Sequence, residues 1–324
     1  MHRRTFALAG LSATALPYAA SAQAWPQRAI TISVPFSAGG PTDTIARILA
    51  ARMTPILGQQ IVVENVTGAA GTIGVGKVAR AAPDGYTIGI GHWSTHVVNG
   101  AIYALPYHLL DDFVPVALVA SNPQLVIARK DLPANSLQDL IAWVRANQGK
   151  VTAGTAGVGS ASHIGGIYFE KLSGTSLTFI PYRGAGPAMQ DLLAGQFDLM
   201  LDQTANSLPQ VRGGRIKAFA VTARKRTPAA PEIPTVDEAG LPGFYVTTWH
   251  GMWAPRGTPA AVIERLNAAA REALATERVK QRFDDLGQDI PPPEMQTVAA
   301  LAAFQKTEVE RWTPLLRAAN LKTD

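Results

Sequence analysis

Short apolar runs alternate with longer amphipathic stretches along most of the chain. The apolar runs predict strands, which read AITISVPF, QIVVENV, YTIGIG, QLVIARK, KVTAGT, LTFIPY, FDLMLD, IKAFAVT and, near 244 to 254, FYVTTWHGMWA. The amphipathic stretches predict helices, which read DTIARILAARM, GTIGVGKVARAA, SLQDLIAWVRANQ, HIGGIYFEKLSG, PAMQDLLAGQ, PAAVIERLNAAAREALAT and VAALAAFQKTEVERWTPLLRAA. Strands that alternate with helices are typical of parallel sheets built from βαβ units. The pattern therefore predicts an α/β fold.

Residues 1–24 follow a different pattern. Two arginines precede a short apolar stretch, and the small-x-small sequence Ala22-Gln23-Ala24 ends it. This order is typical of a secretory signal peptide, so we expect export and cleavage before Trp25. Arg3-Arg4-Thr5-Phe6 also fits the core of a twin-arginine signal. Both the Sec route and the twin-arginine route to the periplasm therefore stay open.

Composition narrows the class of protein. The chain has 324 residues, which is enough for two domains. Of these residues 47% are hydrophobic and 16% charged, a composition that favours a sizeable core and argues against disorder. It contains no cysteine, so an exported form has no disulfides and depends on its core for stability. The formal net charge of +5 comes from 29 basic and 24 acidic side chains without a dense basic face. Nucleic acid is therefore not an expected partner.

Four glycine-rich junctions each join a predicted strand to a predicted helix. They are VPFSAGGPTD at 34–43, YTIGIGHWSTH at 86–96, VTAGTAGVGSASH at 151–163 and FIPYRGAGPAMQD at 179–191. The first turn of a helix has unpaired N–H groups and a partial positive charge. Glycines let a ligand approach that backbone closely, so each junction predicts an anion site.

The junctions favour a carboxylate over a phosphate. The loop Gly154-Thr-Ala-Gly157-Val-Gly159-Ser160 lacks the lysine that a P-loop carries before its serine. The run Gly89-Ile-Gly91-His-Trp-Ser94 has serine where a dinucleotide fingerprint has glycine or alanine. A carboxylate is smaller and carries less charge, so a few N–H donors and hydroxyls can saturate it. No cofactor is expected.

Single side chains near the junctions have two readings each. Asp43 either favours the helix dipole or contributes to a ligand site. Phe36 and Trp93 are either core residues or rings that stack on a ligand. Arg183 is either a surface ion-pair partner or the charge that recognises a second acidic group of the ligand. The hydroxyls of the junctions either bind ligand or cap helices.

Metal and catalytic readings are weaker. His92 and His96 are four residues apart, but no glutamate lies between them and no third ligand is evident, so no metal site is expected. His163 follows Ser160, yet the GxSxG turn of a serine hydrolase is absent. An exported hydrolase built on Ser160 and His163 stays the alternative to a protein that binds its ligand unchanged.

Five motifs in order resemble the extracytoplasmic solute receptors of tripartite tricarboxylate transporters, known as TctC-like or Bug proteins. They are WPQRAITISVPFSAGGPTDTIAR, AAPDGYTIGIG, GTAGVGSASH, YRGAGPAMQDLLAGQFDLMLD and TWHGMWAPRGTP. The resemblance covers the chain from Trp25 to the final helix. It implies a non-enzymatic periplasmic receptor that binds a small organic acid, such as a di- or tricarboxylate, an aromatic acid or an acidic amino acid, and delivers it to membrane transporter subunits. A monomer is expected.

The resemblance also implies a fold and a site. The fold is a two-lobed periplasmic binding protein of type II, each lobe a mainly parallel sheet flanked by helices. One lobe is expected at 25–125 plus 246–324 and the other at 126–245. The ligand-binding residues that the resemblance carries over are Phe36, Ser37, Ala38, Gly39, Gly40, Asp43, Thr155, Ala156, Gly157, Gly159, Ser160, His163 and Asp202. The sequence His92-Trp93-Ser94 stands where many relatives carry small residues, which favours a bulky or aromatic acid. Arg183 completes the predicted site.

Overall fold

The computed structural model describes residues 25–318, so the predicted signal peptide lies outside the described residues. Nine strands form one sheet in the order β2-β1-β3-β9-β4-β7-β5-β6, with β8 paired to β4. The strands are β1 (Ile30–Val34), β2 (Ile61–Asn65), β3 (Thr87–His92), β4 (Phe113–Arg129), β5 (Thr152–Thr155), β6 (Thr178–Pro181), β7 (Leu199–Gln203), β8 (Ile216–Val221) and β9 (Thr247–Pro255).

The helices flank this sheet. They are α1 (Pro41–Leu57), α2 (Thr72–Ala79), α3 (Asn99–Ile102), α4 (Leu137–Ala146), α5 (Ala161–Ser173), α6 (Ala185–Leu193), α7 (Thr204–Arg212), α8 (Ala260–Ala275), α9 (Glu277–Asp285) and α10 (Val298–Ala318). A π-helical turn at Ser94–Val98 leads into α3, and 3-10 turns occupy Ala69–Gly71 and Pro293–Gln296. No helix among the described residues is long and apolar enough to span a membrane.

The long strand β4 divides the sheet into two lobes. Its first half pairs antiparallel with β9 as far as Pro123 opposite Thr247, and its second half pairs with β7 from Gln124 opposite Gln203. We call the part built on β1, β2, β3 and β9 the first lobe and the part built on β5 to β8 the second lobe. β4 changes its partner from β9 to β7 two residues before the predicted lobe boundary at 125. The lobe boundaries themselves stay a prediction.

Each lobe has its own core. In the first lobe, α1 and α8 cover the sheet with fully buried side chains such as Leu49 and Leu266. In the second lobe, α4 and α5 do the same with Leu140 and Phe169. Burial of one such leucine or phenylalanine side chain stabilises a fold by roughly 1.5–3 kcal/mol. A third cluster joins Ala161 and Ile164 of α5 to first-lobe side chains such as Ile102.

Strand direction follows from this arrangement. The βαβ units produce the parallel pairs β1–β2, β1–β3, β5–β6 and β5–β7, as the alternation of strands and helices predicts. The crossing strand β4 and the returning strand β9 add antiparallel pairs, which include β3–β9 and β4–β9. In both lobes the carboxyl ends of parallel strands point toward the space between the lobes, where ligands bind in open α/β sheets.

Candidate functional site

A small cavity lies between the two lobes. The first lobe contributes Phe36, Pro41, Thr42 and His92 to its wall, and β4 and the second lobe contribute Gln124, Ala156, Ser160, Ala161, Ser162, Ala185, Leu201, Asp202 and Gln203. Its volume is about 20 Å³, which is room for a water and not for an organic acid. The lobes must therefore separate further before such a ligand can enter.

Three helices begin at this cavity. Pro41, Ala161 and Ala185 are the first residues of α1, α5 and α6, and all three line the cavity. The N-terminal turns of these helices carry N–H groups without intrahelical partners and a partial positive charge. The sum of three such ends makes the cavity suited to an anion although no lysine or arginine lines it.

The turn before α1 depends on Asp43. Its side-chain oxygens accept hydrogen bonds from the Gly39 N–H, the Arg47 Nε–H and the Asn65 amide, each at 2.9 Å. Burial opposes ionisation of this carboxyl, but the hydrogen bonds from Arg47, Gly39 and Asn65 outweigh it and hold the pKa of Asp43 below its usual value. Asp43 therefore positions the glycine turn and does not line the cavity.

We expect Asp43→Ala to lower the free energy of unfolding by roughly 2 kcal/mol at pH 7, because it removes a buried carboxylate that accepts charge-assisted hydrogen bonds from three donors. A carboxyl with a lowered pKa stabilises the fold above its unfolded pKa, so the difference between the two proteins should shrink as pH falls below about 4. Urea unfolding at pH 7 and pH 3.5 measures both. Arg47→Gln is the control, because it removes only a half-exposed partner and should change stability by less than about 1 kcal/mol. Equal losses for the two variants would contradict the role of Asp43.

His92 provides a neutral donor. Its ring stacks on Phe36 with centroids 4.9 Å apart and an interplanar angle of 4°. The Ser94 backbone N–H donates to Nδ1 at 3.1 Å, so the ring proton belongs on Nε2, the nitrogen left for the cavity. Burial lowers the pKa of His92 to about 3. The ring is therefore uncharged at neutral pH and can donate to a carboxylate without adding charge.

Asp202 provides a buried acceptor. It is 2% exposed, lines the cavity, and accepts hydrogen bonds from the Asn206 amide at 2.7 Å and the Ser207 hydroxyl at 2.6 Å. Burial raises the pKa of Asp202 to about 6, against the lowering effect of these donors. The two donors show that Asp202 orders the start of α7. The buried carboxylate is also placed to accept from a hydroxyl or amine of a ligand.

Two glutamines that line the cavity were not predicted from the sequence. Gln124 and Gln203 are opposite each other on β4 and β7, and both line the cavity. Both polar atoms of the Gln124 amide and Oε1 of Gln203 are buried without a hydrogen-bond partner among residues 25–318. Unpaired buried amides are costly, so these groups point to a polar molecule between the lobes. The only signal in the sequence was a glutamine beside an apolar run and another after Asp202.

Ser160 and His163 do not form a catalytic pair. The Ser160 hydroxyl accepts from the backbone N–H of His163 at 3.3 Å and contacts the Ser162 hydroxyl at 3.0 Å, which is the geometry of an N-cap. The His163 ring accepts at Nδ1 from the Gly159 N–H and packs edge-on against Phe179. Ser160 lines the cavity but the His163 ring does not. The Nδ1 atom of His163 is therefore occupied by the Gly159 N–H and does not accept from the Ser160 hydroxyl.

Of the two readings of Trp93, the structure favours the core position, and contact with a ligand stays a prediction. Its ring is 2% exposed and packs at a 70° angle against Trp312 in the core of the first lobe. Ser94 is fully buried, and its hydroxyl lies 3.2 Å from Nδ1 of His92, so it supports the histidine rather than the cavity wall. Trp93 directly follows His92, the last residue of β3, and successive side chains of a strand point to opposite faces.

The remaining junction residues form contacts between the lobes. The turn Ser37-Ala38-Gly39-Gly40 faces the start of α6, where a Cβ on Gly186 would lie 2.9 Å from the Ala38 carbonyl oxygen. A Cβ on Gly159 would lie 2.3 Å from Cδ1 of Ile102. Thr155 accepts from the Gly157 N–H at 3.3 Å and so shapes its own loop. Arg183 does not line this cavity but an adjoining one, which Gly157 also lines.

Known proteins share this architecture. The family described as tripartite tricarboxylate transporter family receptor matches residues 45–321. A UPF0065 protein of Agrobacterium vitis is 42% identical over 95% of this chain and 90% of its own length. The structure of the periplasmic binding protein BugD is similar with a TM-score of 0.88 and 43% identity, over 92% of this chain and all of that one. MatC of Rhodopseudomonas palustris with bound malate is similar with a TM-score of 0.86 and 42% identity, over 90% and 100%. These matches confirm the predicted α/β fold of a periplasmic binding protein.

Proposed function

Because this chain belongs to the tripartite tricarboxylate transporter receptor family, as its motifs predicted, we propose that it captures a small organic acid in the periplasm and delivers it to the membrane subunits of such a transporter. The observation that carries the proposal is the meeting of three helix N-termini at a cavity with no lysine or arginine in its wall. The acid is a di- or tricarboxylate, an aromatic acid or an acidic amino acid. Cleavage before Trp25 releases a monomeric receptor.

Neutral donors suit a protein that must release its ligand. Backbone N–H groups of α1, α5 and α6, the Ser160 hydroxyl and the uncharged His92 ring hold the carboxylate by hydrogen bonds alone. A fixed lysine beside the carboxylate would add a charged pair in a dry site, where such pairs hold strongly. A micromolar dissociation constant corresponds to about −8 kcal/mol, which these donors can supply after the costs of closure.

Ligand exchange requires the lobes to hinge. The chain crosses between the lobes twice, in β4 and in the segment that returns to β9. The Thr204 hydroxyl also donates to the Gly287 carbonyl at 2.8 Å. The cavity of about 20 Å³ has to widen for any organic acid, and the cores of the two lobes, built on α1 and α8 and on α4 and α5, can stay folded during that movement. Binding then closes the lobes around the ligand and presents the closed surface to the transporter.

A thermal-shift screen over organic acids tests the proposal. A true ligand at a hundred times its dissociation constant should stabilise the protein by about 2.7 kcal/mol. The matched amide or methyl ester of each hit is the control, because it keeps the shape and removes the carboxylate charge. Mass spectrometry of the recovered ligand completes the test. Absence of stabilisation by the whole panel would contradict the receptor function, and a chemically altered ligand would favour an enzyme.

A further inference from the structure

A second cavity adjoins the first. Its volume is about 220 Å³, and residues of both lobes line it, among them Ala70 and Tyr103 from the first lobe and Gly157, Tyr182 and Arg183 from the second. Phe36 and Ala156 line both cavities, so one ring and one methyl group separate them. We call this second space the outer chamber.

Part of the wall of the outer chamber has a backbone conformation that is rare for residues other than glycine. Ala69 and Ala70 both have positive φ, at 43° and 47°, a region that alanine rarely adopts. The Asn99 amide donates to the Ala70 carbonyl at 3.0 Å and so fixes this turn. A Cβ on Gly157 would lie 3.5 Å from the backbone of Ala70, so the two lobes meet along this edge. Strained backbone held by a buried side chain is typical of functional sites.

The chamber combines apolar rings with one cation. The Tyr103 hydroxyl donates to the Val158 carbonyl, and the Tyr182 hydroxyl donates to Asp191 at 2.8 Å. Their polar ends are thus satisfied, and their rings remain as flat apolar surfaces. Arg183 makes no hydrogen bond or ion pair within residues 25–318, and no acidic side chain lines the chamber. The chamber therefore offers an apolar passage that leads to an unneutralised guanidinium.

We propose that the outer chamber binds the far end of the ligand, and that Arg183 recognises a second acidic group there. This inference rests on the proposed function, since the inner cavity must hold the first carboxylate. The ligand is then a two-ended acid whose middle passes Phe36 and Ala156 and lies against the rings of Tyr103 and Tyr182. An acid with only one anionic end leaves the guanidinium unpaired and binds more weakly.

Calorimetric titration of matched acids tests Arg183. The probes are adipate with hexanoate, suberate with octanoate, and 4-carboxyphenylacetate with 4-methylphenylacetate, in which the members of a pair differ by one acidic group. In the wild-type protein we expect at least one diacid to bind at least about tenfold more tightly than its monoacid, because its second acidic group forms a charge-assisted pair with Arg183. Arg183→Gln should remove most of that advantage and change the affinity for the monoacid by no more than about twofold. Arg278→Gln, an exposed arginine on α9, is the control and should change neither.

The outcomes distinguish the role of Arg183 in the outer chamber from the proposed receptor function. Equal affinities within every pair, or an advantage for the diacid that survives Arg183→Gln, would overturn the role of the outer chamber and leave the receptor function intact. Failure of every acid to bind the folded wild-type protein would contradict the proposed function itself, and this inference with it. A loss of affinity for both members of a pair in Arg183→Gln would show that Arg183 acts on the fold, so circular dichroism of that variant accompanies the titration.

Discussion

Gly186→Val is expected to weaken the binding of organic acids by about ten- to a hundredfold and to leave both lobes folded. Gly186 is the second residue of α6, and a Cβ there would lie 2.9 Å from the Ala38 carbonyl oxygen and 3.4 Å from the Gly40 nitrogen. These backbone atoms belong to the turn of the opposite lobe and cannot move aside as a flexible side chain could. Overpacking costs roughly 1–3 kcal/mol, and each 1.4 kcal/mol is a tenfold change in affinity.

Folding of the second lobe should not suffer from this change. The backbone of Gly186 is helical, and valine is a better helix residue than glycine. Gln190→Val is the matched control, because it adds the same side chain to an exposed position of the same helix, away from the turn Ser37–Gly40. Small-angle scattering with a saturating ligand found in the thermal-shift screen should show closure in the control and a more open molecule in Gly186→Val.

Other affinities of the two variants would show which step of the closure argument is wrong. Unchanged affinity in Gly186→Val would mean that the lobes do not come together at this turn when ligand binds. Equal losses in Gly186→Val and Gln190→Val would mean that the effect is on α6 itself. Only a loss confined to Gly186→Val supports closure through the contact between the two glycine-rich turns.

The sequence predicted most elements of the fold because their patterns are local. Runs such as YTIGIG and FDLMLD are short, apolar and bounded by turn residues, and they correspond to β3 and to β7 with its lead-in. The first half of β4 was missed because it contains Pro115 and Pro123, which argue against a strand. The structure accommodates Pro115 beside a shift of register and Pro123 at the end of the pairing with β9. Helix α7 was missed because Pro209 lies inside a polar stretch.

The candidate site was predictable where it consists of backbone. Glycine-rich junctions reveal helix N-termini, and α1, α5 and α6 indeed begin at the cavity. Side-chain direction was not predictable, because it depends on elements that no local pattern indicates. Trp93 is buried against Trp312 of α10, which is more than 200 residues away in the sequence, and the burial of Gln124 depends on a crossing strand that pairs with both lobes. Binding by the site residues themselves stays a prediction.

Asp202→Asn is expected to raise the free energy of unfolding by about 1–3 kcal/mol at pH 7.5 in the absence of ligand. Burial raises the pKa of Asp202 from 3.8 to about 6, and no lysine or arginine lines the cavity to compensate the charge. A pKa difference of that size corresponds to roughly 3 kcal/mol at 1.36 kcal/mol per pH unit. Asparagine keeps an oxygen for the donors of Asn206 and Ser207 but loses the charge, so part of that amount is recovered as stability.

The pH dependence identifies the cause. Below about pH 4 the carboxyl is protonated in both the folded and the unfolded protein, so its burial costs little. As pH rises from 4 to 6, the unfolded protein loses this proton first, and the wild-type protein becomes less stable than it would be without the charge. Urea unfolding of both proteins at pH 4.5, 6 and 7.5 should therefore show a gain for Asp202→Asn that grows with pH and levels off above about pH 7. Asp111→Asn, at an exposed position, is the control and should show no such trend.

A gain in stability of Asp202→Asn would show that the Asp202 charge destabilises the empty receptor, so its presence among anion-binding helix ends needs a role in ligand recognition. A charge that destabilises the empty receptor is retained when it serves recognition, as happens at many functional sites. The same variant should then bind ligands with a hydroxyl or amine less well than the wild type, while ligands without such a donor gain affinity because repulsion is removed. A loss of stability at every pH would show instead that Asp202 serves only to order α7 through Asn206 and Ser207. A gain that is independent of pH would exclude the buried charge as its cause.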